Sequence, residues 1–213
     1  MAEIRRYRKE DRDFVRKIAW GTAFRGERAD IFFAGKDILM DFLTQYFTDY
    51  EPESCFVAEV DGRVIGYLIG AKNAVVLEKI YRAKILPSLL FRLIMSGGIF
   101  KKKNMVFLFH CLRSFLRKEF TMPDFSKEYP ATLHINLEEN FRNAGIGSRL
   151  ISTYLDYLLK ERICGVRLAT MSDKAGEFFV NHGFHLLHKG RRSYFRSIMH
   201  KDIPIYIYGK KLP

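Results

Sequence analysis

The sequence has few cysteines and no long apolar run, and both absences restrict what the protein can be. Its three cysteines, Cys55, Cys111 and Cys164, are far apart and form no C-x-x-C pair. They predict neither a zinc ribbon nor a disulfide framework, and they indicate buried thiols in a reducing compartment. Charged residues and proline interrupt every apolar stretch well short of the roughly 20 residues of a transmembrane helix. Residues 1–8 are charged and resemble no signal peptide, so we expect a cytoplasmic protein.

Two common nucleotide-binding motifs are also missing. The sequence contains no G-x-x-x-x-G-K-[ST] string, and the dinucleotide fingerprint G-x-G-x-x-G would need a glycine where Leu150 stands. What is present is an apolar content of 48%, which indicates a folded globular chain. A formal net charge of +12 indicates acidic ligands or surfaces without choosing among coenzyme, nucleic acid and membrane.

The clearest functional pattern is a strand, a glycine loop and a helix in direct succession. Apolar residues alternate over 133–137 as in a β-strand, and they recur at helical spacing over 150–159. Gly145 and Gly147 lie in the loop between them. The first N–H groups of a helix lack internal partners and carry the positive end of its dipole, and glycines let an anion come close. The pattern predicts a phosphate-binding loop, with the charge of Arg142 beside it.

The string from Arg142 to Gly147 resembles the [Q/R]-x-x-G-x-[G/A] signature of the GNAT acyltransferase superfamily, whose members bind acetyl-CoA. The order of predicted elements is similar over nearly the whole chain. The resemblance implies an α/β (α+β) fold whose mixed, largely antiparallel sheet has about six to seven strands flanked by helices. It implies one domain over 1–213, with a basic helical insertion at about 71–130 before the strand at 133–137.

The resemblance also implies which residues hold acetyl-CoA. Leu137, at the end of the strand, would offer backbone groups to the pantetheine arm. The pyrophosphate would lie on the glycine loop, which comprises Arg142, Asn143, Ala144, Gly145, Ile146, Gly147 and Ser148.

A second family element, N-x-x-A-x-x-F-Y followed by G-F, matches the segment from Ser172 to Phe179 and the pair Gly183-Phe184. Ser172 replaces an asparagine, and its hydroxyl would still contact the pantetheine. Phe179 replaces the tyrosine that protonates the leaving thiolate in many members. Because a phenyl ring cannot donate a proton, another acid or water must serve, or acetyl transfer does not occur. Candidate replacement acids are Tyr194, Tyr206 and Tyr208.

Two residues are candidates for the base that takes a proton from the acceptor amine. His134 lies on the polar face of the strand that lines the acceptor site in the family, and imidazole titrates near neutrality. Glu138 follows at the strand end. A hydrogen-bonded structural role for His134 is the alternative, and the sequence slightly favours it. His182, His185 and His188 are spaced by three, but a helix end and the alternation of a strand separate them, so we expect no metal site.

The insertion allows several interpretations because it is rich in basic residues and has few acidic ones. Its sequence predicts a helix over 75–85, an interruption at Pro87 and a continuation over 89–95. A further helix is predicted after residues 101–103, with an apolar stripe along one side that comprises Met105, Leu108, Phe109, Leu112, Phe115 and Leu116. A lid or wall of the acceptor pocket is our first interpretation. A homodimer contact and a weak contact with an anionic membrane are alternatives, as is a packed subdomain with solvated basic faces.

Together these features predict an acyl-CoA-dependent N-acetyltransferase that passes an acetyl or short acyl group to an amine by direct attack in a ternary complex. The acceptor would be a small-molecule or peptide amine, and the positive charge favours a neutral or acidic one. A CoA-binding module with weak chemistry and a peripheral membrane binder are the alternatives. No RNA-binding motif stands out, so we expect no nucleic-acid partner.

Overall fold

Seven strands form one mixed sheet in the computed structural model, which describes residues 2–213. The sheet order is β1-β2-β3-β4-β5-β7-β6, and every neighbouring pair is antiparallel except β4 and β5. This confirms the predicted mixed, largely antiparallel sheet. The strands are β1 Glu3–Arg6, β2 Cys55–Val60, β3 Arg63–Ala71, β4 Ala131–Leu137, β5 Gly165–Thr170, β6 His185–Arg192 and β7 Ile203–Lys211.

Helices cover both faces of the sheet and pack against hydrophobic residues on each. On one face, α6 and α7 pack against β4 and β5 around Leu133, Leu150 and Leu168. On the other, α1 packs against β3 around Val15 and Tyr67. The helices are α1 Arg12–Thr22, α2 Lys36–Asp49, α3 Ala74–Ile80, α4 Leu86–Met95, α5 Lys102–Leu116, α6 Ile146–Lys160, α7 Asp173–Val180 and α8 Arg196–Met199.

The dipeptide Asp61-Gly62 between two β-rich segments predicts a hairpin with a type I′ turn, and β2 and β3 form this hairpin with an irregularity beside Gly66. Asp61 and Gly62 both have positive φ angles, 50° and 77°, as a type I′ turn requires. The register then skips Ile65, so β3 carries a bulge there. A Cβ on Gly66 would lie 2.1 Å from Leu137 Cδ2 on the neighbouring strand. Glycine is therefore needed at this position to let β3 and β4 approach each other.

The two parallel strands pair over only two residues and then separate. β4 and β5 are paired at Ala131 with Val166 and at Thr132 with Arg167, and the pairing ends there. The rest of β4 pairs only with β3, on its other side. The edges of β4 and β5 that face each other past this point are therefore open and form a wedge in the sheet.

Two sequence predictions near the chain's surface were wrong. The basic run from Lys189 to Arg192 predicts a loop after a strand, but these residues complete β6 and pair with β7 as far as Ile203. β6 is the outer strand of the sheet, and edge strands commonly carry charged residues that block further pairing. Of the three cysteines, only Cys55 is buried, whereas Cys164 is exposed.

The insertion between β3 and β4 is helical, as expected, but the place of Pro87 and the direction of the apolar stripe of α5 differ from the expectation. Pro87 was expected to interrupt it, yet the proline lies in the first turn of α4, where its missing N–H is tolerated. A π-helical segment, Tyr81–Ile85, joins α3 to α4. The predicted apolar stripe of α5 exists, but most of it faces outward, while Asn104 and Ser114 face inward and are fully buried. Among residues 2–213, no helix has the length and apolar character needed to cross a bilayer.

Candidate active site

The loop before α6 presents an unbroken series of unpaired backbone donors. Asn143 and Gly145 have left-handed φ angles of 63° and 72°, and Gly145 is the N-cap residue of α6. The first hydrogen bond of that helix runs from Arg149 N to Gly145 O, at 3.2 Å. None of the six N–H groups from Asn143 to Ser148 has an acceptor within the described chain. Such a nest at a helix N-terminus is suited to an anion with several oxygens, such as a diphosphate.

Gly147 is held close to two apolar side chains at the mouth of the wedge. A Cβ there would lie 3.2 Å from Phe178 Cζ and 3.6 Å from Leu137 Cδ1. Phe178 of α7 therefore forms one wall of the loop. No short motif in the sequence indicates this contact, because it joins α7 to the loop before α6.

The end of β4 directs backbone groups into the wedge. Glu138 N donates to Ile65 O of β3 at 2.9 Å. Consecutive residues of a strand point their N–H groups to opposite sides, so Leu137 and Ile135 point theirs away from β3 and into the wedge. An extended amide chain lying in the wedge would meet these groups as an added strand would.

Arg142 connects this strand end to the loop between α1 and α2. Its guanidinium donates to Leu137 O at 3.3 Å and to Gly26 O at 3.2 Å. The sequence led us to expect this charge beside a phosphate. In the structure the side chain holds the tip of the α1–α2 loop against β4, and both of these bonds end on backbone carbonyls.

His134, Tyr67 and Asn136 form a polar cluster on the face of the sheet opposite α6. Asn136 lies directly across from Tyr67 on β3, and its Nδ2 donates to the Tyr67 hydroxyl at 2.8 Å. The His134 ring lies nearly parallel to the Tyr67 ring, with centroids 6.4 Å apart. Nothing in residues 2–213 hydrogen-bonds to the imidazole. The structural alternative for His134 required such a bond.

The environment of His134 keeps its imidazole neutral. Residue His134 is exposed by its surface area, yet many protein atoms surround its ring, and this crowding decides how well water can stabilise a charge there. Burial therefore lowers the pKa of His134 from its ordinary value of 6.5. An unpartnered, neutral imidazole that remains accessible can accept a proton.

Glu138, the second candidate base, is engaged elsewhere. Both of its carboxylate oxygens lie 2.7 Å from Arg63 Nη2, on the partly exposed end of β3. The carboxylate is therefore held in an ion pair with Arg63 instead of being free to meet an acceptor amine. The geometry thus favours His134 over Glu138 as a base.

Structural comparisons identify the fold that carries this site. The chain aligns over 99% of its length with 98% of the crystal structure of SsHAT, at 24% identity and a TM-score of 0.72. It also aligns over the full length of both chains with a GNAT-family acetyltransferase from Streptococcus pneumoniae, at 14% identity and a TM-score of 0.55. The chain has the GNAT fold. The resemblance drawn from the sequence is therefore confirmed at the level of fold.

The GNAT fold is shared with enzymes of different specificity. A Drosophila melanogaster polyamine N-acetyltransferase, which catalyses the formation of N-acetylagmatine, aligns over 100% of each chain at 12% identity, with a TM-score of 0.60. No protein-family model and no curated protein matches the sequence. At these identities the comparisons concern the fold, and the chemistry has to be argued from the site.

The two departures from the GNAT sequence pattern have structural roles here. Ser172 caps α7, where its hydroxyl oxygen accepts from Ala175 N at 3.3 Å, and its O–H remains available as a donor. Phe179 is buried in the core, with its ring centroid 5.2 Å from Phe178 and 5.7 Å from Phe184. Neither residue conflicts with the GNAT fold, but Phe179 supplies no proton.

The three candidate acids lie on different sides of the GNAT sheet. Tyr206 donates to Asp173 at the start of α7, at 2.6 Å, and Tyr208 packs into the core on that same face. Both are therefore on the opposite face from His134. Tyr194 contacts Met171, the residue that follows β5, with 3.6 Å between its hydroxyl and Sδ. Burial raises the pKa of Tyr194 to about 12, so its phenol stays protonated.

The spaced histidines do not form a cluster in the described part of the chain. His182 Nδ1 donates to Phe178 O at 2.7 Å, whereas His185 Nε2 lies 3.1 Å from the Tyr129 hydroxyl. No group of three or more His, Cys, Asp or Glu side chains within residues 2–213 is arranged to hold a metal ion.

The insertion packs its inner side against the α1–α2 loop. Phe107 of α5 lies against Phe32 and Phe195, with ring centroids 4.9 and 5.8 Å apart. Asn104 accepts from Ala34 N at 2.7 Å and donates to Ala34 O at 3.1 Å. α5 therefore supports the loop whose tip Arg142 holds against β4.

Proposed function

We propose that this protein is an acyl-CoA-dependent N-acetyltransferase that transfers an acetyl or short acyl group to an amine. The observation that supports it best is the adjacency of two features. A nest of six free N–H groups lies at the start of α6, and the open edge of β4 leads away from it. Together they fit a ligand with a diphosphate at one end and an extended amide chain at the other, as in acetyl-CoA.

The residues of the wedge have distinct roles in this proposal. The N–H groups from Asn143 to Ser148 bind the pyrophosphate, and Leu137 and Ile135 pair with the pantetheine amides. The Leu137 N–H would polarise the carbonyl at the end of the chain, as an oxyanion-hole donor does. When bound, the thioester supplies an activated acyl group that an amine can attack directly.

The amine would approach from the face that carries His134. An amine has to be neutral to attack, and most are protonated at pH 7, so a base must take a proton. His134, neutral and accessible, accepts it directly or through one water. Asn136 and Tyr67, the hydrogen-bonded pair beside the imidazole, are both neutral, so this pair offers no carboxylate to a polycation. This supports a small-molecule or peptide amine of neutral or acidic character.

The second candidate is a CoA-binding module without efficient chemistry, and one specific observation favours it. Phe179 is buried and cannot protonate a leaving thiolate, and Tyr206 and Tyr208 face the other side of the sheet. Tyr194 or water would have to serve in an active enzyme. Binding experiments alone cannot separate the two candidates, whereas turnover can.

Calorimetric titration with acetyl-CoA, CoA and ATP tests the proposal first. We expect saturable binding of both CoA species and none of ATP, because the wedge recognises the pantetheine arm as well as the phosphates. A free-thiol assay with a panel of neutral, acidic and polycationic amines then tests the chemistry. Thiol release that rises with an added amine supports the transferase and excludes the binding module. Binding without any turnover would favour the module, and no binding to folded protein would refute both.

A further inference from the structure

The outward surface of α4 and α5 is apolar to a degree that a solvated surface does not require. Of the 23 large apolar side chains that residues 2–213 expose, sixteen lie between Val75 and Met122. Monomeric soluble proteins rarely leave a broad apolar patch uncovered. We call this surface the outer insertion face. Its main members, each 42–77% exposed, are Leu90, Phe91, Ile94, Met95, Phe100, Met105, Phe109, Leu112, Phe115 and Leu116.

The orientation of α5 is fixed by hydrogen bonds, so the helix cannot roll to bury this surface. On its inner side Asn104 is fully buried and bonds to Ala34 and Gly98, the latter at 2.9 Å. About three helical turns further along α5, Ser114 is also fully buried, and its hydroxyl lies 2.9 Å from the Ser193 hydroxyl. Rolling the helix would break both contacts and leave buried polar groups without partners. The polar-in, apolar-out arrangement is therefore built into the fold.

The same surface is strongly basic. Residues 75–122 contain ten lysines and arginines but only two acidic residues, Glu78 and Glu119. Glu78 pairs with Arg82 at 3.4 Å, and Glu119 points inward, where it accepts from Ser193 N at 2.8 Å. Exposed lysines with no carboxylate partner in the described chain, such as Lys101 and Lys102, therefore flank the apolar residues.

From this combination we propose that the outer insertion face binds an anionic membrane surface. Apolar side chains of α4 and α5 would enter the boundary between headgroups and acyl chains, and the lysines would contact lipid phosphates. The helices have 10 and 15 residues, which suits helices that lie in the interface plane. The proposal does not depend on the acetyltransferase proposal, because no residue of the wedge takes part.

The combination of positive charge and apolar side chains distinguishes among three possible partners of the outer insertion face. A second copy of the chain in a two-fold dimer would bring the same cations against themselves, which is unfavourable. A nucleic acid would satisfy the cations but not the phenylalanines and leucines between them, because protein–nucleic acid interfaces are polar. An anionic bilayer satisfies both.

Vesicle flotation tests the proposal with the full-length protein. We expect co-flotation with vesicles that contain anionic phosphatidylglycerol, at about 0.1 M salt, and clear loss at about 1 M, where the Debye length falls to roughly 3 Å. Vesicles of phosphatidylcholine alone should bind at least about tenfold more weakly, since each basic residue near an anionic surface contributes roughly fivefold.

Matched variants distinguish binding through the outer insertion face from non-specific adsorption of the protein to vesicles. Phe109→Ser with Leu116→Ser, and separately Lys101→Glu with Lys102→Glu, should each reduce partitioning at least about tenfold. The control for the apolar variant is Phe14→Ser, and the control for the charge variant is Lys17→Glu combined with Lys160→Glu. They change exposed residues of α1 and α6, and both should float like the wild type. Circular dichroism melts confirm that each variant is folded.

Several results would overturn the proposal. One is no flotation of folded wild type at low salt. Others are equal flotation with neutral and anionic vesicles, or equal loss in the control variants. A dimer by light scattering that Phe109→Ser with Leu116→Ser converts to monomer, without flotation, would assign the face to self-association. Tight, salt-sensitive binding to an oligonucleotide without flotation would assign it to nucleic acid.

Discussion

Replacing Gly145 by Asp or by Asn isolates the electrostatic part of the proposed phosphate site. Gly145 has a φ of 72°, and a Cβ there would meet nothing within 4 Å. Asn and Asp tolerate this left-handed conformation better than other side chains, and they are almost equal in size. The two variants therefore share the same strain and bulk, and they differ by one negative charge at the nest.

The expected difference follows from Coulomb's law. At roughly 5 Å from a phosphate, one carboxylate costs about 0.8 kcal/mol per unit charge in water and about 3 kcal/mol at an effective dielectric of about 20. The loop is exposed, so we take roughly 1 to 3 kcal/mol for the whole diphosphate. This predicts that Gly145→Asp binds acetyl-CoA roughly 5- to 150-fold more weakly than Gly145→Asn.

Calorimetry at two salt concentrations measures the ratio directly. The ratio of dissociation constants should shrink at about 1 M salt, because exposed charges are then screened within a few ångströms. Gly145→Asn itself should bind within about tenfold of the wild type, since it adds strain but no charge. Equal affinities for the Asp and Asn variants, with both proteins folded, would refute the phosphate site.

Three further predictions concern the base His134, the buried ion pairs of Asp41, and the clasp, by which we mean the two hydrogen bonds from Arg142 to the carbonyls of Leu137 and Gly26. His134→Gln should lower kcat by roughly 100-fold and remove an acidic limb whose apparent pKa lies below 6.5, because burial favours the neutral imidazole. Asp41→Asn should lower stability by about 1–3 kcal/mol, or roughly 2–10 °C in Tm, because this buried carboxylate joins Arg16 at 2.8 Å and Arg92 at 2.7 Å. Arg142→Lys should speed amide exchange over residues 24–34, since lysine cannot span both carbonyls.

Each of these predictions has a specific control and a result that contradicts it. An unchanged pH–rate profile in His134→Gln would remove the imidazole from the reaction. Asp30→Asn is the control for Asp41→Asn, because its carboxylate is exposed and should contribute little; equal Tm shifts would contradict the network. Arg149→Lys is the control for Arg142→Lys, and similar exchange in both variants would contradict the clasp.

The elements that the sequence predicted well are those whose pattern is local. The alternation over 133–137, the turn at Asp61-Gly62 and the glycine loop each depend on neighbours in the chain. The features that the sequence predicted wrongly depend on contacts with residues far away in the chain. β6 extends to Arg192 only because β7 pairs with it, and the outward face of α5 is set by the contacts of Asn104 and Ser114.

The candidate site divides in the same way. The free N–H groups before α6 follow from a local helix start, so the sequence could predict them. The pairing of Tyr67 with Asn136 requires the register of β3 on β4, which no short motif encodes. The clasp from Arg142 to Gly26 spans 116 residues of chain, and the open wedge itself is a property of the whole sheet.

The missing tyrosine at position 179 is less damaging to the transferase proposal than it first looks. A thiol has an ordinary pKa near 8.5, so its thiolate is a far better leaving group than an alkoxide and needs little protonation. The phenol of Tyr194 has a pKa of about 12 and can donate a hydrogen bond to a thiolate. Transferring its proton to a thiolate whose thiol has a pKa near 8.5 would cost about 5 kcal/mol, because each unit of pKa difference corresponds to about 1.4 kcal/mol.

We therefore expect a small effect when the remaining candidate acid, Tyr194, is replaced. Tyr194→Phe should lower kcat by less than about tenfold and leave the acidic limb of the pH–rate profile in place, because only a hydrogen bond is lost. Tyr206→Phe is the matched control, since its hydroxyl bonds to Asp173 on the opposite face, and it should not change kcat. A fall of more than about 100-fold in Tyr194→Phe alone would mean that this phenol donates the proton after all, and that the leaving thiolate depends on it.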